Sequence, residues 1–300
     1  MTEVLLVGLS TVDLVQRVEA APHPGEKVQS TSVETVAGGP ATNAAVAVAA
    51  LGGRARLLTA LGAHPLAELA RRDLAEHGVE LVDVRSDGVS PPPVSAAVVR
   101  ERDGERTVVS HNAAGVEVLP PDDLDGVLGR AAAVLVDGHH PRLALAAAET
   151  ARRRGVPVVL DAGSYKPVLV DLLPLVDVCA CSEAFRLPDR PDDTDRALHD
   201  LGIPVVTRTR GQDPVSWSCR GGGEGTVRPS EVTARDTLGA GDVWHGALAF
   251  GIVRLGRVPT ADDLPGLLAE ANEVAALRVR HRGARAWVAA ARSRGSSIDP

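Results

Sequence analysis

Short apolar runs closed by turn residues alternate with longer stretches of helical spacing along most of the chain. Residues 4–8 form an apolar run that ends in Gly-Leu-Ser, which predicts a buried strand. Residues 20–36 are polar, carry Pro22, Pro24 and Gly25, and read as a loop feeding an alternating strand near 28–36. A dense Ala/Val stretch over 40–51, stopped by Gly52-Gly53, predicts a helix. A strand at 56–61, a helix at 66–77 stopped by Gly78, and a strand at 79–84 follow. Two β-rich runs, 94–100 and 106–110, flank Arg102-Asp103-Gly104 and give a hairpin signal. Beyond them lie a strand at 133–137, a helix at 143–154, and strands at 156–161, 176–180 and 203–207. A Gly-rich turn at 221–225 separates two more strand-like runs, the second continuing over 226–233. Long helices are expected over 239–255 and 261–280. This alternation predicts an α/β fold with a parallel sheet and helices on both faces. The hairpin and the strand near 28–36 fall outside the alternation and predict a small separate β-layer.

Composition narrows the class. Hydrophobic residues make up 44% of the 300, enough for a large core, yet Phe, Tyr and Trp together reach only 2%. Stacking platforms for bases are therefore scarce. The formal net charge is -7, and 30 of the 32 basic residues are Arg, the lysines being Lys27 and Lys166. No basic stripe marks a nucleic-acid or anionic membrane surface. The three cysteines, Cys179, Cys181 and Cys219, are odd in number and lack a C-x-x-C spacing, which fits reduced thiols and a cytoplasmic setting. No apolar run approaches a spanning helix and no leader pattern is present, so a soluble protein is expected.

Two segments carry candidate chemistry. In Asp236-Thr237-Leu238-Gly239-Ala240-Gly241-Asp242, glycines open an apolar helix. Free N–H groups and the positive end of the helix dipole there suit an anion such as a transferring phosphoryl group. Asp242 in the first turn is placed to take a proton from an attacking hydroxyl. The alternative is tight helix–strand packing with Asp242 as a dipole residue. The segment is neither a dinucleotide fingerprint, since the third glycine would fall on Trp244, nor a Walker A loop. The second segment, Ala37-Gly38-Gly39-Pro40-Ala41-Thr42-Asn43, also opens a helix, with Asn43 in its first turn. Asp13, just beyond the first strand, places a carboxylate at the sheet's C-terminal edge, where ligands of open α/β sheets bind. Carboxylate plus amide suits sugar hydroxyls, although each alone is commonly a turn or cap residue.

Together, 38–53 and 236–246 resemble the two signatures of the ribokinase-like (PfkB) carbohydrate kinase family, in the right order. Leu61-Gly62, His77-Gly78-Val79 and the stretch from Asp161 extend the likeness over nearly the whole chain. The resemblance implies a single domain over 1–300 with a three-layer fold: a mostly parallel sheet, helices on both faces, and a β-sheet lid from segments near 10–36 and 85–112. It implies phosphorylation of a small sugar's hydroxyl, dependent on ATP and Mg2+. Asp242 would be the base and the Gly239, Ala240 and Gly241 amides the anion hole. Asp13, Gly38, Gly39, Asn43 and His139 would hold the sugar. Thr207, Arg208, Gly211 and Asn272 would contact ATP. The lid would also form a homodimer contact, its apolar face being Val94, Ala96 and Val98. The sequence departs from the pattern at His64-Pro65-Leu66-Ala67, where many members have D-x-x-G. It departs again at Ser182-Glu183-Ala184-Phe185, where many have N-x-x-E. Glu183 is then the candidate metal ligand. The Ser-Glu-Ala-Phe form and Asp242-Val243-Trp244-His245-Gly246 are similar to the ketohexokinase and sulfofructose-kinase branch. His139-His140 is expected to be one site-facing and one exposed histidine, and His245 a capping or packing residue. The alternatives are a nucleoside kinase, disfavoured by the few aromatics, and a non-catalytic binding protein on the same scaffold.

Overall fold

The computed structural model describes residues 2–113 and 116–295. The expected domain runs on to residue 300, and its last five residues lie outside the described ones. In chain order the elements begin with β1 (Glu3–Val7), β2 (Thr11–Val18), β3 (Ser32–Gly38), α1 (Pro40–Ala50), β4 (Arg54–Thr59), α2 (Pro65–Glu76) and β5 (Val79–Asp83). Next come β6 (Val94–Arg100), β7 (Arg106–His111), α3 (Leu124–Leu128), β8 (Ala133–Val136), α4 (Pro141–Arg153), β9 (Val158–Ala162) and α5 (Leu169–Leu172). The chain continues through β10 (Val178–Cys181), α6 (Thr194–Asp200), β11 (Val205–Arg210), β12 (Asp213–Cys219) and β13 (Glu224–Val227). It closes on α7 (Ala240–Leu255), α8 (Leu264–Val279) and α9 (Val288–Gly295).

The nine-stranded sheet has the order β13-β12-β11-β10-β9-β8-β1-β4-β5. It is parallel from β5 to β11, with antiparallel β12 and β13 at one edge. Strands β1, β8, β9 and β10 are buried along their whole length. Their unbroken apolar runs are what a sheet covered on both faces requires. Val4 and Leu6 point into one apolar layer with α1, α7 and α8, while Leu5 and Val7 point into the other with α4 and α5. Among the described residues no helix is long and apolar enough to cross a membrane.

A separate four-stranded sheet has the order β3-β2-β6-β7, with β2 parallel to β6 and the other pairs antiparallel. The sequence pattern does not single out β2 as a strand, because Asp13, Gln16 and Arg17 interrupt its apolar run. The apolar alternation of β6, Val94, Ala96 and Val98, is not the one the protein's own core covers. Ser95, Ala97 and Val99 are buried, and Val99 and Ala97 pack with Val15 and Leu238. Val94, Ala96 and Val98 lie on the opposite, outward face, with Ala96 exposed. The run predicted over 226–233 also shortens: β13 ends at Val227, where its antiparallel partner β12 ends its pairing at Val215.

Candidate active site

The carboxyl ends of β1, β8 and β9 converge with the N-termini of α1 and α7. At α7 the cap is Gly239, whose φ of 70° lies in the left-handed region that suits glycine. The first intrahelical bond runs from Val243 N–H to Gly239 O at 3.0 Å. The N–H groups of residues 239–242 therefore have no acceptor within the helix. Ala240 N–H donates to Thr237 O at 3.3 Å, closing the turn that precedes the helix. That leaves the Gly239, Gly241 and Asp242 amides as the open donors of this end.

The turn is anchored from below by Asp236, which is 1% exposed. Its Oδ1 accepts from Leu238 N–H at 3.0 Å and its Oδ2 from Gly283 N–H at 3.1 Å. Arg17 of the small sheet donates to the same carboxylate, and Arg278 of α8 lies 3.4 Å from Oδ1. Arg278 also donates to the Asp236 and His281 carbonyls at 3.3 and 3.2 Å. From the small sheet, Arg106 Nη1 donates to Thr237 Oγ1 at 2.7 Å. The glycine turn is thus held between the two sheets by guanidinium groups.

Asp242 is half-buried, and its Oδ2 accepts from Asn43 Nδ2 at 2.8 Å. This bond joins the two segments singled out in the sequence, 199 residues apart. Burial, followed by the nearby Asp161 charge, pushes the Asp242 carboxyl up to about 6. His245, one turn further along α7, lies with Nδ1 2.9 Å from Asp161 Oδ2, both side chains being buried. Burial would push the His245 imidazole down, but Asp161 outweighs it and holds the group above its ordinary value. His245 is therefore more than a packing residue.

Asp137, at the end of β8, accepts from Leu9 N–H and His139 N–H at 2.9 Å each and from Ala41 N–H at 3.3 Å. It fastens the β1 exit to the start of α1. A Cβ on Gly8 would fall 2.2 Å from that carboxyl, so the position has room for glycine only. His139 is half-buried and His140 is 1% exposed, which corrects the expected exposed partner. Burial pushes both imidazoles below their ordinary value.

Asp13 sits within β2, not beyond β1, so its carboxylate belongs to the small sheet. It accepts from Thr11 Oγ1 at 2.5 Å, and burial raises its pKa. A Cβ on Gly38 would fall 2.0 Å from that carboxylate, and one on Gly39 2.3 Å from Leu9 O. The two glycines let Asp13 and the β1 exit close on the α1 N-terminus. Asp13, Ala37, Asn43, Gly239 and Arg285 line one small cavity. Arg285 donates to Asn43 Oδ1 at 3.1 Å and pairs with Asp73 at 3.0 Å.

Of the residues assigned to the nucleotide, Thr207 and Arg208 lie on β11, Gly211 at the turn after it and Asn272 on α8. Thr207 and Arg208 are 1% and 5% exposed on the interior strand β11. The Arg208 guanidinium donates to Ser182 O at 2.7 Å and Phe185 O at 3.0 Å and pairs with Asp195. It holds the 182–185 turn in place. Asn272 is likewise buried, its Oδ1 accepting from Trp244 Nε1 at 2.8 Å. Gly211 remains exposed at the β11–β12 turn. Glu183 is exposed beyond the end of β10. Among the described residues no group of three or more His, Cys, Asp or Glu is placed to hold a metal ion.

Asp137, Asp161, Arg17, Arg278 and Arg285 are the residues that sequence reasoning left without a role. The first two share a readable pattern, an apolar strand running into Asp followed closely by Gly. The arginines have no local signal, because their carboxylate partners are 42 or more residues away.

The family described as pfkB family carbohydrate kinase matches residues 1–290. A ribokinase of Arabidopsis thaliana is 28% identical over 269 residues, covering 83% of this chain and 70% of that protein. An ATP-dependent ribose-1-phosphate kinase of Halopiger xanaduensis is 29% identical over 288 residues, covering 95% and 94%. The structure of the Arabidopsis thaliana ribokinase complexed with ribose and ATP superposes with a TM-score of 0.77 at 24% identity, covering 97% and 98%. That likeness bears on the fold, which is ribokinase-like. With the family matched over residues 1–290 and the two glycine turns brought together around Asn43 and Asp242, the chain belongs to the pfkB family of carbohydrate kinases.

Proposed function

We propose that the chain transfers the γ-phosphoryl group of ATP to a hydroxyl of a small sugar, within a single kinase domain. The observation that carries this reading is the Asn43–Asp242 contact of 2.8 Å at the open N-terminus of α7. Asn43 occupies Oδ2 and leaves Oδ1 free for a sugar hydroxyl. The hydroxyl oxygen forms a bond to the γ-phosphorus as the bridging bond to ADP breaks, and the hydroxyl proton passes to Asp242. The Gly239, Gly241 and Asp242 amides face the charge on the transferred group. Ala240 contributes by closing the turn, since its own N–H is engaged with Thr237. Asp13, the Gly38-Gly39 turn, Asn43 and His139 line the sugar side. Gly211 lets the nucleotide approach the β11–β12 turn. Relatives that are ribokinases and a ribose-1-phosphate kinase support a sugar substrate.

Mg2+ is commonly held by one or two carboxylates and the substrate's phosphates, and Glu183 is the exposed carboxylate offered for it. When bound, the ion would neutralise phosphate charge. The outward face of the small sheet is proposed as a homodimer contact.

Steady-state ATP consumption over a panel of small sugars tests the reading. Asp242→Asn is expected to lower kcat by roughly 10²–10⁴-fold with ATP binding retained. The wild-type rate should fall as pH drops through about 6, where Asp242 takes up its proton. A variant keeping more than about a tenth of wild-type kcat would remove Asp242 from the mechanism.

A further inference from the structure

An amide side chain has two ends of nearly equal size. If the Asn43 NH2 end faces Asp242 it supports the carboxylate; if the C=O end faces it, two acceptors meet and the carboxylate is disfavoured. Some other group must decide between them. In this structure that group is Arg285, which lies in the turn between α8 and α9 and is 9% exposed. Its Nη1 donates to Asn43 Oδ1 at 3.1 Å. A guanidinium has donors only, so it binds the C=O end and turns the NH2 end toward Asp242.

Arg285 is itself held on two further sides. Nε and Nη2 donate to Asp73 of α2 at 3.1 and 3.0 Å, and Nη2 also reaches Ala37 O. Asp73 in turn accepts from Ala37 N–H at 3.1 Å. Both polar groups of Ala37, the residue before Gly38-Gly39, are therefore fixed by the same ion pair. Planar, multidentate contacts of this kind leave the guanidinium little freedom.

We propose that Arg285 is a positioning residue that locks the Asn43 amide with its NH2 end on Asp242, keeping the base charged and its second oxygen free for the acceptor hydroxyl. This rests on the reading of Asp242 as the base. Asp242 is faced by Asn43 from α1, Asp161 from β9, Asp137 from the end of β8 and His245 from its own helix. Burial first, then the two carboxylates, press it toward protonation, while the Asn43 donor and His245 oppose them. Arg285 is faced by Asp73 from α2 and His77 just beyond it, Asp13 from β2, Glu34 from β3 through the neighbouring Ala284, and Arg278 from α8. Among these contacts, the one that reaches Asp242 runs through Asn43.

The test is the pH profile of kcat at saturating sugar and ATP for wild type, Arg285→Met, Arg285→Lys, Asn43→Ala and the Asn43→Ala/Arg285→Met pair. Losing the donor to a charged group should move the acid limb of Arg285→Met upward by about one pH unit. Asn43→Ala should move it similarly. The pair should move it no further than Asn43→Ala alone, because Arg285 acts through Asn43. Lysine keeps the charge but not the planar fork, so Arg285→Lys should shift the limb the same way. It carries the test if the methionine variant does not fold. An unmoved limb in Arg285→Lys or in Asn43→Ala, or shifts that add in the pair, overturns the proposal. Substantial activity in Asp242→Asn would instead overturn the base assignment, which separates the two failures.

Discussion

Above pH 6 the Asp242 carboxylate carries its charge in a place that disfavours charge. The folded protein raises this group from 3.8 to about 6. A raised acid favours folding below its unfolded value, and that contribution is lost as pH climbs through the folded one. The amide introduced by Asp242→Asn would be neutral throughout and would keep an oxygen to accept from Asn43. This variant should therefore be inactive yet more heat-resistant than wild type at pH 7, by on the order of 1 kcal/mol or about 2 °C. The difference should vanish near pH 4. Calorimetric scans at the two pH values check it, and a less stable variant at pH 7 would contradict it. Among individual residues, those beside glycine turns were legible: Asp242, Asn43, Gly38 and Gly39 stand in patterns whose backbone demands are visible. Arg285 was not, because a run of Gly-Ala-Arg-Ala carries no local requirement and its partners Asp73 and Asn43 lie 212 and 242 residues away.

Helices α1 and α7 bring Asn43 and Asp242 together, so their spacing sets the site. Gly246 makes that spacing possible: a Cβ there would lie 2.4 Å from Ala44 O and 2.8 Å from Ala44 Cα. Both neighbours are backbone and cannot swing aside. Gly246→Ala should force the helices apart, cost roughly 1–3 kcal/mol and lower kcat more than its stability loss explains. A displacement of about 1 Å at reacting groups can cost 10²-fold in rate. Kinetics at a temperature where the variant is fully folded would check this, and an unchanged kcat would show that the two helices do not set the geometry. The long helices and the interior strands were readable at this scale, since unbroken apolar runs and glycine stops mark them. Strand β2 was not, because its polar residues make contacts that no local pattern announces: Asp13 lines the cavity beside Asn43 and Gly239, and Arg17 reaches Asp236. The same cause hid which alternation of β6 is covered. The face that meets Leu238 carries Ser95, and the outward one reads as the more apolar.

Across the described residues, the small sheet meets the body on one face, and its other face, bordered by the loop over 22–30, stays open at Val33 and Val109. Val33 and Val109 on its outward side are 60% and 74% exposed, with Ala96 between them. An open sheet face with two exposed valines and unpaired edge strands β3 and β7 supports pairing with a second copy. Val33→Glu/Val109→Glu should convert a dimer at micromolar concentration into a monomer without lowering the melting temperature measured at high dilution. Light scattering would show it, and a wild-type monomer at that concentration would end the dimer reading. The α/β class and the extra β-layer were legible from alternation, whereas which sheet face is open depends on contacts with the 236–239 turn that no periodicity encodes.

The scarcity of lysine has a practical result. The chain's two side-chain amines are Lys27, exposed in the loop that feeds the small sheet, and Lys166, beyond the end of β9. The Lys166 stem passes 3.5 Å from where a Gly138 Cβ would be, and its charge acts on Asp161 and His139. Acylation of these side chains would thus place one dye beside Asp161 and His139 and one beside the small sheet. Energy transfer between them would report how the two sheets move as ligands arrive, in the unaltered protein and without a single engineered residue.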